Sequence, residues 1–404
     1  MSALPLIVHL DADAFFVSCE LALQPALRGK RCAVGGRERG IIASANYEAR
    51  AGGVYTPMPT AQALKLCPDL ILLPPTRGLY SEISRQLFDL CETLTPCVQR
   101  HSIDEGFLDL GPCGFTVLAE IEKSVRALQQ RIVQQLGVTV SFGLATNKLV
   151  AAIASKAFKP RGFTLVSSGT EADFLAPFKI NVIPGIGKIT EARLNQAGLR
   201  LVKDIIALPT LELQRLFGNA APAILALARG EDTEPVEVLQ AAAQSYSTQE
   251  TFPQDIGNFS QIEQVTKRMI DELMPKIRAD DKKSKTLTIK IRYSGMEDNS
   301  TSRSLTEASD LESSFYPFVT ALLKAVWTKR RPLRLVSVRF SGIEHPSHQL
   351  EIFKEVDAKK RRLAGVLDQL NSRGPQPIVR SGHQLAHQPK RPGDTDHGCA
   401  GGGR

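Results

Sequence analysis

No apolar run in this 404-residue chain approaches the roughly 18 residues that a membrane-spanning helix needs. The opening Met1-Ser2-Ala3-Leu4-Pro5 carries no basic stretch, and the apolar run behind it soon reaches Asp11 and Asp13. No secretory leader is therefore expected. The seven cysteines are scattered without a CxxC pair, and their number is odd. That excludes a regular disulfide framework and points to reduced thiols in a cytoplasmic protein. Charged residues at 23% and hydrophobic ones at 43% exclude wholesale disorder and a fibrous repeat. The length suggests about two to four domains.

Charge is present and unevenly placed. The net charge is +8, yet residues 1–243 hold 24 Lys+Arg against 23 Asp+Glu. Residues 244–345 hold 16 against 13, and residues 346–404 hold 10 against 6. A basic excess suits polyanions such as nucleic acid. A solvated surface with a basic tail would give the same arithmetic.

The run Leu6-Ile7-Val8-His9-Leu10 reads as a buried strand that delivers Asp11 at its end. Val98–Asp104 and Phe107–Leu110 read as two short strands meeting at Gly106. Apolar positions 118, 121, 125, 128 and 132 step by three and four, as an amphipathic helix does. Thr139–Ala145 then alternates like a strand. This order matches a ferredoxin-like palm with an insertion after its first strand. Residues 171–230 read as entirely helical around Pro184-Gly185-Ile186-Gly187, and residues 231–243 as a linker. Beyond them a β-α-β-β-α-β pattern runs from Ser245 to Ser341, with helices marked by Ile262–Ile277 and Leu311–Val326. From Asn371 onward 11 of 34 residues are Gly or Pro, which predicts a disordered tail.

Asp11-Ala12-Asp13 follows the first strand, and Ser102-Ile103-Asp104-Glu105 lies on a neighbouring one. Carboxylates converging at strand ends suit Mg²⁺, a hard ion that prefers oxygen ligands. Adjacent residues on a flat strand point to opposite faces. Asp104 and Glu105 can then serve one metal pair only if the chain turns there, and Gly106 permits a turn. Either motif alone would fit a solvated strand end equally well.

Asp11-Ala12-Asp13-Ala14-Phe15-Phe16, Ala45-Asn46-Tyr47-Glu48-Ala49-Arg50, Ser102-Ile103-Asp104-Glu105 and Lys159-Pro160-Arg161-Gly162 follow in this order. Together they resemble the successive signatures of the Y-family translesion DNA polymerases, in their DinB, or DNA polymerase IV, branch. The resemblance runs from residue 4 to residue 353. It implies an α+β multidomain fold: ferredoxin-like palm, small fingers insertion, helix-hairpin-helix thumb and β-α-β-β-α-β little finger. The implied layout is palm at 1–28 and 75–170, fingers at 29–74, thumb at 171–230, linker at 231–243 and little finger at 244–344. Residues 345–404 would hold a clamp-binding peptide, a short helix and the tail. The periodicity supports every part except the fingers, on which it is silent.

Roles follow from the resemblance, position by position. Asp11, Asp104 and Glu105, with the main-chain carbonyl of Ala12, would hold two Mg²⁺ ions. Asp13 is not a ligand in the family pattern, although its spacing from Asp11 alone leaves that open. Tyr47 and Arg50 would grip the β/γ-phosphates, three residues apart on one helix face. Lys159 would be a further triphosphate contact, and Ser44 an additional candidate. Phe16 stands at the steric-gate position, where a ring under the sugar leaves no room for a 2′-OH. An isolated Phe-Phe pair would more often be core. Gly185, Gly187 and Lys188, within Ile183–Lys188, resemble a hairpin turn whose backbone N–H groups approach a DNA phosphate. Gln349-Leu350-Glu351-Ile352-Phe353 resembles the peptide that docks bacterial polymerases on a sliding clamp, with Gln349, Leu350, Ile352 and Phe353 as its contacts. The start of a helix over Val356–Leu370 would explain the same residues.

The reading is a distributive, template-directed lesion-bypass DNA polymerase without proofreading. It would act as a cytoplasmic monomer on primer-template DNA and deoxynucleoside triphosphates, with a sliding clamp as partner and no membrane. A non-catalytic clamp-binding adaptor of the same family would have lost its carboxylates, and here all three are present. A nucleotide cyclase shares the palm but needs neither the hairpin nor the little finger. Three positions depart from the family pattern: Ala151-Ala152 for a lysine, Phe158 for a small residue, and Gln244 for a lysine. They predict weaker DNA affinity and leave the carboxylates untouched.

Overall fold

A computed structural model describes residues 4–37, 39–239, 242–345, 355–372, 378, 379 and 382. The chain falls into two units, residues 1–241 and 242–404. The first begins with β1 (Ile7–Ala12), α1 (Phe15–Leu23), β2 (Cys32–Gly35), β3 (Ile41–Ala45), α2 (Tyr47–Ala51), β4 (Met58–Pro59), α3 (Thr60–Leu66) and β5 (Ile71–Leu73). It continues with α4 (Leu79–Glu92), β6 (Val98–Arg100), β7 (Glu105–Asp109), α5 (Leu118–Leu136), β8 (Val140–Ala145), α6 (Lys148–Ala157) and β9 (Phe163–Leu165). Five helices close it: α7 (Glu171–Leu175), α8 (Lys188–Gln196), α9 (Val202–Ile206), α10 (Thr210–Phe217) and α11 (Ala221–Ala228).

The central sheet has the order β6-β7-β1-β8-β9. Its first four strands give the ferredoxin-like arrangement, and β9 extends it in parallel with β8. β1 is buried on both faces, as a central strand must be. Alternation turns Val8, Leu10 and Ala12 into one core with Leu87 and Phe88 of α4 and Val125 and Leu128 of α5. The same alternation turns His9 and Asp11 toward α6, where His9 Nδ1 lies 2.7 Å from Ser155 Oγ. The helix read from positions 118–132 is α5, whose buried residues are Ile121, Val125, Leu128 and Ile132.

Two sequence expectations are corrected here. Asp104 is not part of a strand running from Val98, because β6 ends at Arg100 and a turn occupies 101–104. Ser102 Oγ makes that turn by accepting from the N–H groups of Asp104 (3.2 Å) and Glu105 (3.1 Å). Gly106 lies inside β7 rather than at a turn. Its missing side chain makes room, since a Cβ would sit 2.6 Å from the Phe88 ring and 2.8 Å from the Gln99 carbonyl.

The insertion on which periodicity was silent is a separate sheet, β4-β3-β2-β5, with β2 and β5 parallel. Its strands are too short for a period to register. Residues 171–230 are helical, with 3-10 turns at Ile180–Val182, just before the hairpin, and at Gly218–Ala220. This segment is tied at its base: Thr146 Oγ1 donates to Glu171 (2.7 Å), and Asn147 Nδ2 donates to the Gly230 carbonyl (2.7 Å). Residues 231–239 pack back on α6, where Leu149 N–H donates to Asp232 (3.0 Å) and Lys148 Nζ reaches the Pro235 carbonyl (3.2 Å).

The second unit is β10 (Tyr246–Ile256), α12 (Phe259–Ala279), β11 (Lys283–Tyr293), β12 (Asp298–Ser309), α13 (Tyr316–Val326), β13 (Leu333–Glu344) and α14 (Glu355–Asn371). Its sheet order is β10-β13-β11-β12, antiparallel throughout. Leu287, Ile289 and Ile291 of β11 pack with Val336, Val338 and Phe340 of β13 against both α12 and α13. Thr288, Lys290, Ser337 and Arg339 alternate with them and form the opposite face. Six cysteines lie among the described residues, and all are free. No described helix is long and apolar enough to cross a membrane.

Arg278 fastens α14 to this unit. It donates to Asp368 (2.6 and 2.9 Å), to Glu312 (2.7 Å) and to the Asp310 carbonyl (2.6 Å). Its side chain is only 12% exposed. Arg278→Ala would leave Asp368 and Glu312 half-buried without their partner, a loss of about 3–5 kcal/mol. Hydrogen-exchange mass spectrometry is expected to show α14 losing protection well before α12.

Candidate active site

One cleft of about 200 Å³ in the first unit is lined by Asp11, Phe16, Tyr47, Arg50, Asp104 and Lys159, with Ala12 and Ser44. Its floor is the end of the β1–β7 ladder. The register sets Asp11 opposite Glu105, and the Ala12 N–H donates to the Asp104 carbonyl at 2.9 Å. Three carboxylates from segments more than 90 residues apart are thereby brought to one edge of the sheet.

Each carboxylate has its own partner. Asp11 bonds to Lys159, whose ammonium also lies 3.2 Å from the Ala12 carbonyl. Glu105 pairs with Lys156 at 2.9 Å, and the same ammonium is 3.8 Å from Asp11. Asp104 accepts from Ser102 Oγ at 2.6 Å. Burial pushes the Asp11 carboxyl up from its ordinary range, opposed by Lys159 and Lys156. His9 lies beneath, 1% exposed, with its imidazole pushed down to about 3 by burial and then by Lys156.

Asp13 is buried beside this group, 3.7 Å from the Lys159 ammonium, and its hydrogen bonds serve the framework. It is 1% exposed and accepts from Ser141 Oγ (2.8 Å) and the Arg161 N–H (2.9 Å), so it ties the loop after α6 to β8. Spacing could not show this, because β1 ends at Ala12 and Ala14 takes a left-handed conformation (φ 47°).

The opposite wall belongs to α2. Asn46 caps it, accepting from the Ala49 N–H at 3.0 Å, and its amide also donates to the Lys30 carbonyl at 2.7 Å. That cap sets Tyr47 and Arg50 one turn apart on the cleft. Arg50 Nε donates to the Ala45 carbonyl (2.9 Å), and its guanidinium lies over the Tyr47 ring. Tyr47 Oη is buried with no hydrogen-bond partner among the described residues. Burial, then Asp13, pushes its phenol up to about 12, so it remains a donor. Ser44 is 5% exposed, and its hydroxyl accepts from the Val17 N–H at 3.4 Å.

Away from the cleft, Gly185 has φ +90°, a left-handed conformation that favours glycine, and Gly187 precedes α8, which starts at Lys188. The peptide Gln349–Phe353 lies outside the described residues. Motif reading gave no role to Lys156, His9 or Ser102. Only the spacing of Lys156 and Lys159, one helical turn apart, could have drawn attention to the first.

The sequence profile of the impB/mucB/samB family matches residues 10–156, and that of its C-terminal domain matches residues 243–352. A DNA polymerase IV from Opitutus terrae is 62% identical over 96% of this chain and 99% of its own length. Another from Desulfatibacillum aliphaticivorans is 33% identical over 90% and 92%. The chain belongs to the Y-family DNA polymerases. Among solved structures, a chimera of the Y-family polymerases Dbh and Dpo4 superposes with a TM-score of 0.75 at 28% identity, covering 84% of this chain and all of its own. An insertion ternary complex of Dbh DNA polymerase gives 0.59 at 27% identity, over 84% and 100%. The four-part architecture of palm, fingers, thumb and little finger follows with the family, as does templated synthesis past lesions. Divalent-metal dependence follows in general terms. The adaptor reading gains no support from relatives that carry the name polymerase, and the polymerase keeps Asp11, Asp104 and Glu105.

The donors at this edge suit such a metal: three carboxylates and one carbonyl, all hard oxygens. Among the described residues no three acidic, imidazole or thiolate groups yet converge on one point, and Lys156 and Lys159 stand among them instead. Gly106→Ala tests how finely that edge is set. Its methyl would press on Phe88 and the Gln99 carbonyl, costing about 1–3 kcal/mol. Thermal denaturation should fall by several degrees, with primer extension falling further because Glu105 is displaced.

Proposed function

We propose that this cleft carries out template-directed addition of deoxynucleotides to a primer 3′-OH, with the site roles as follows. Asp11, Asp104, Glu105 and the Ala12 carbonyl hold two Mg²⁺ ions. When bound, the ions lower the pKa of the 3′-OH and neutralise the triphosphate. The observation that carries the reading is the pairing of this acidic edge with a wall of donors. Among the described residues Tyr47 Oη is buried and unpartnered, and Arg50 donates through Nε to a backbone carbonyl. A triphosphate would supply the acceptors.

Lys159 then exchanges Asp11 for a phosphate oxygen, and Ser44 lies beside that path. Phe16 packs under the sugar and excludes a 2′-hydroxyl. The hairpin glycines Gly185 and Gly187, with Lys188, hold a DNA phosphate without reading sequence. The hydroxyl-rich sheet face bearing Thr288, Lys290, Ser337 and Arg339 is suited to the duplex backbone in the same way. The layout follows the palm, fingers, thumb, linker and little-finger boundaries set out above. The polymerase works as a monomer in the cytoplasm, without proofreading.

Asp104→Ala or Asp11→Ala is expected to abolish incorporation while primer-template binding survives, because charge stabilisation in phosphoryl transfer is lost. Primer extension on damaged and undamaged templates measures this, and activity within about tenfold of wild type would overturn the assignment. The peptide Gln349–Phe353 is proposed to dock on the sliding clamp. Leu350→Ala with Phe353→Ala should largely abolish clamp binding while extension on bare primer-template persists. Undiminished stimulation by the clamp would remove this partner.

A further inference from the structure

Glu20 is a charged side chain with no part in the chemistry above, yet it is 2% exposed. No ion pair joins it among the described residues, and a buried carboxylate without a cation is costly unless hydrogen bonds satisfy it. Three do. The Thr76 N–H and Oγ1 each donate at 2.9 Å, and the Tyr80 hydroxyl donates at 2.6 Å. Burial and then this bond raise the Tyr80 phenol well above its ordinary range, so its proton stays in place.

The position of Tyr80 gives these bonds a purpose. Phe16 and Glu20 are four residues apart on α1 and share one face. Tyr80, in the first turn of α4, spans both: its ring lies against Phe16 with centroids 4.7 Å apart, and its hydroxyl ends on Glu20. Phe16 is only partly buried and lines the cleft, so a bound sugar can press on its ring. A 2′-hydroxyl pressing on that ring is resisted by whatever stands behind it. Tyr80 stands behind it, and Tyr80 cannot withdraw while Glu20 holds it.

We propose that Glu20 is a positioning residue for sugar selection, acting through Tyr80 to keep the ring of Phe16 in place against a ribose. The inference rests on the reading of Phe16 as the steric gate. Thr76, in the segment between β5 and α4, is fixed by the same carboxylate, so the gate is also tied to the chain returning from the small sheet.

Single-nucleotide insertion with a deoxynucleoside triphosphate and its matching ribonucleotide separates these claims. Tyr80→Phe keeps the ring and deletes only its hydroxyl, while Glu20→Gln weakens the acceptor at nearly constant shape. Each is expected to raise the ribonucleotide share of kcat/KM about five- to tenfold, with deoxynucleotide insertion changed by less than about threefold. The double variant should relax selectivity no further than either single one, because both break one link. The ratio of the two substrates cancels any loss of folded enzyme, so a merely structural role would leave it unmoved. Phe16→Ala is the control. If it admits ribonucleotides and Tyr80→Phe and Glu20→Gln do not, the positioning role is wrong. If Phe16→Ala itself leaves selectivity unchanged, the gate is elsewhere and the reading beneath this one fails.

Discussion

Asp11 and Glu105 stand directly opposite one another across an antiparallel ladder, a placement that like charges oppose. Most of the palm can be read as the set of contacts that make this placement tolerable. Lys156 and Lys159 reach over from α6 and the loop behind it, Lys156 between Glu105 and Asp11 and Lys159 to Asp11. The Ser102 turn hands Asp104 to the same edge and fixes its carboxylate with one hydroxyl. Small residues bring the layers close enough: a Cβ at Gly143 would fall 2.1 Å from the Ala151 carbonyl, so α6 lies almost on β8.

Much of this was legible in the order of residues. Long elements with a clear period, such as α5, α12 and β11, came out where their apolar spacing placed them, because burying one face is what stabilises them. The four motifs were legible for a different reason, since their chemistry demands particular side chains in a particular order. What escaped was decided by partners distant in sequence. His9 meets Ser155 across 146 positions, Asp13 meets Ser141 across 128, and Glu20 meets Tyr80 across 60. Gly106 was misread for a related reason: its need for space is set by Phe88, which no local pattern announces.

The cleft has walls of unlike character. The acidic edge belongs to a sheet buried on both faces, so its geometry is inherited from the core. The opposite wall belongs to a five-residue helix held by one capping asparagine, which also receives the Cys32 N–H at 3.0 Å. Asn46 thus joins α2, β2 and the Lys30 turn in a single side chain.

The tie at the base of the thumb has a mechanical meaning. Thr146 and Asn147 are consecutive, yet one holds the first residue of the segment at Glu171 and the other its last carbonyl at Gly230. At Gly230 a Cβ would sit 2.6 Å from that of Glu171, so the two ends touch. The two ends form one knot, and behind it the core of the segment, with Leu175, Ile180, Ile183 and Ile224, is continuous with Leu149, Val150 and Ile153 of α6. Any displacement of the segment is therefore passed to α6 over a broad apolar face as well as at the knot. The knot lies at the head of α6, the helix that carries Lys156 at its other end.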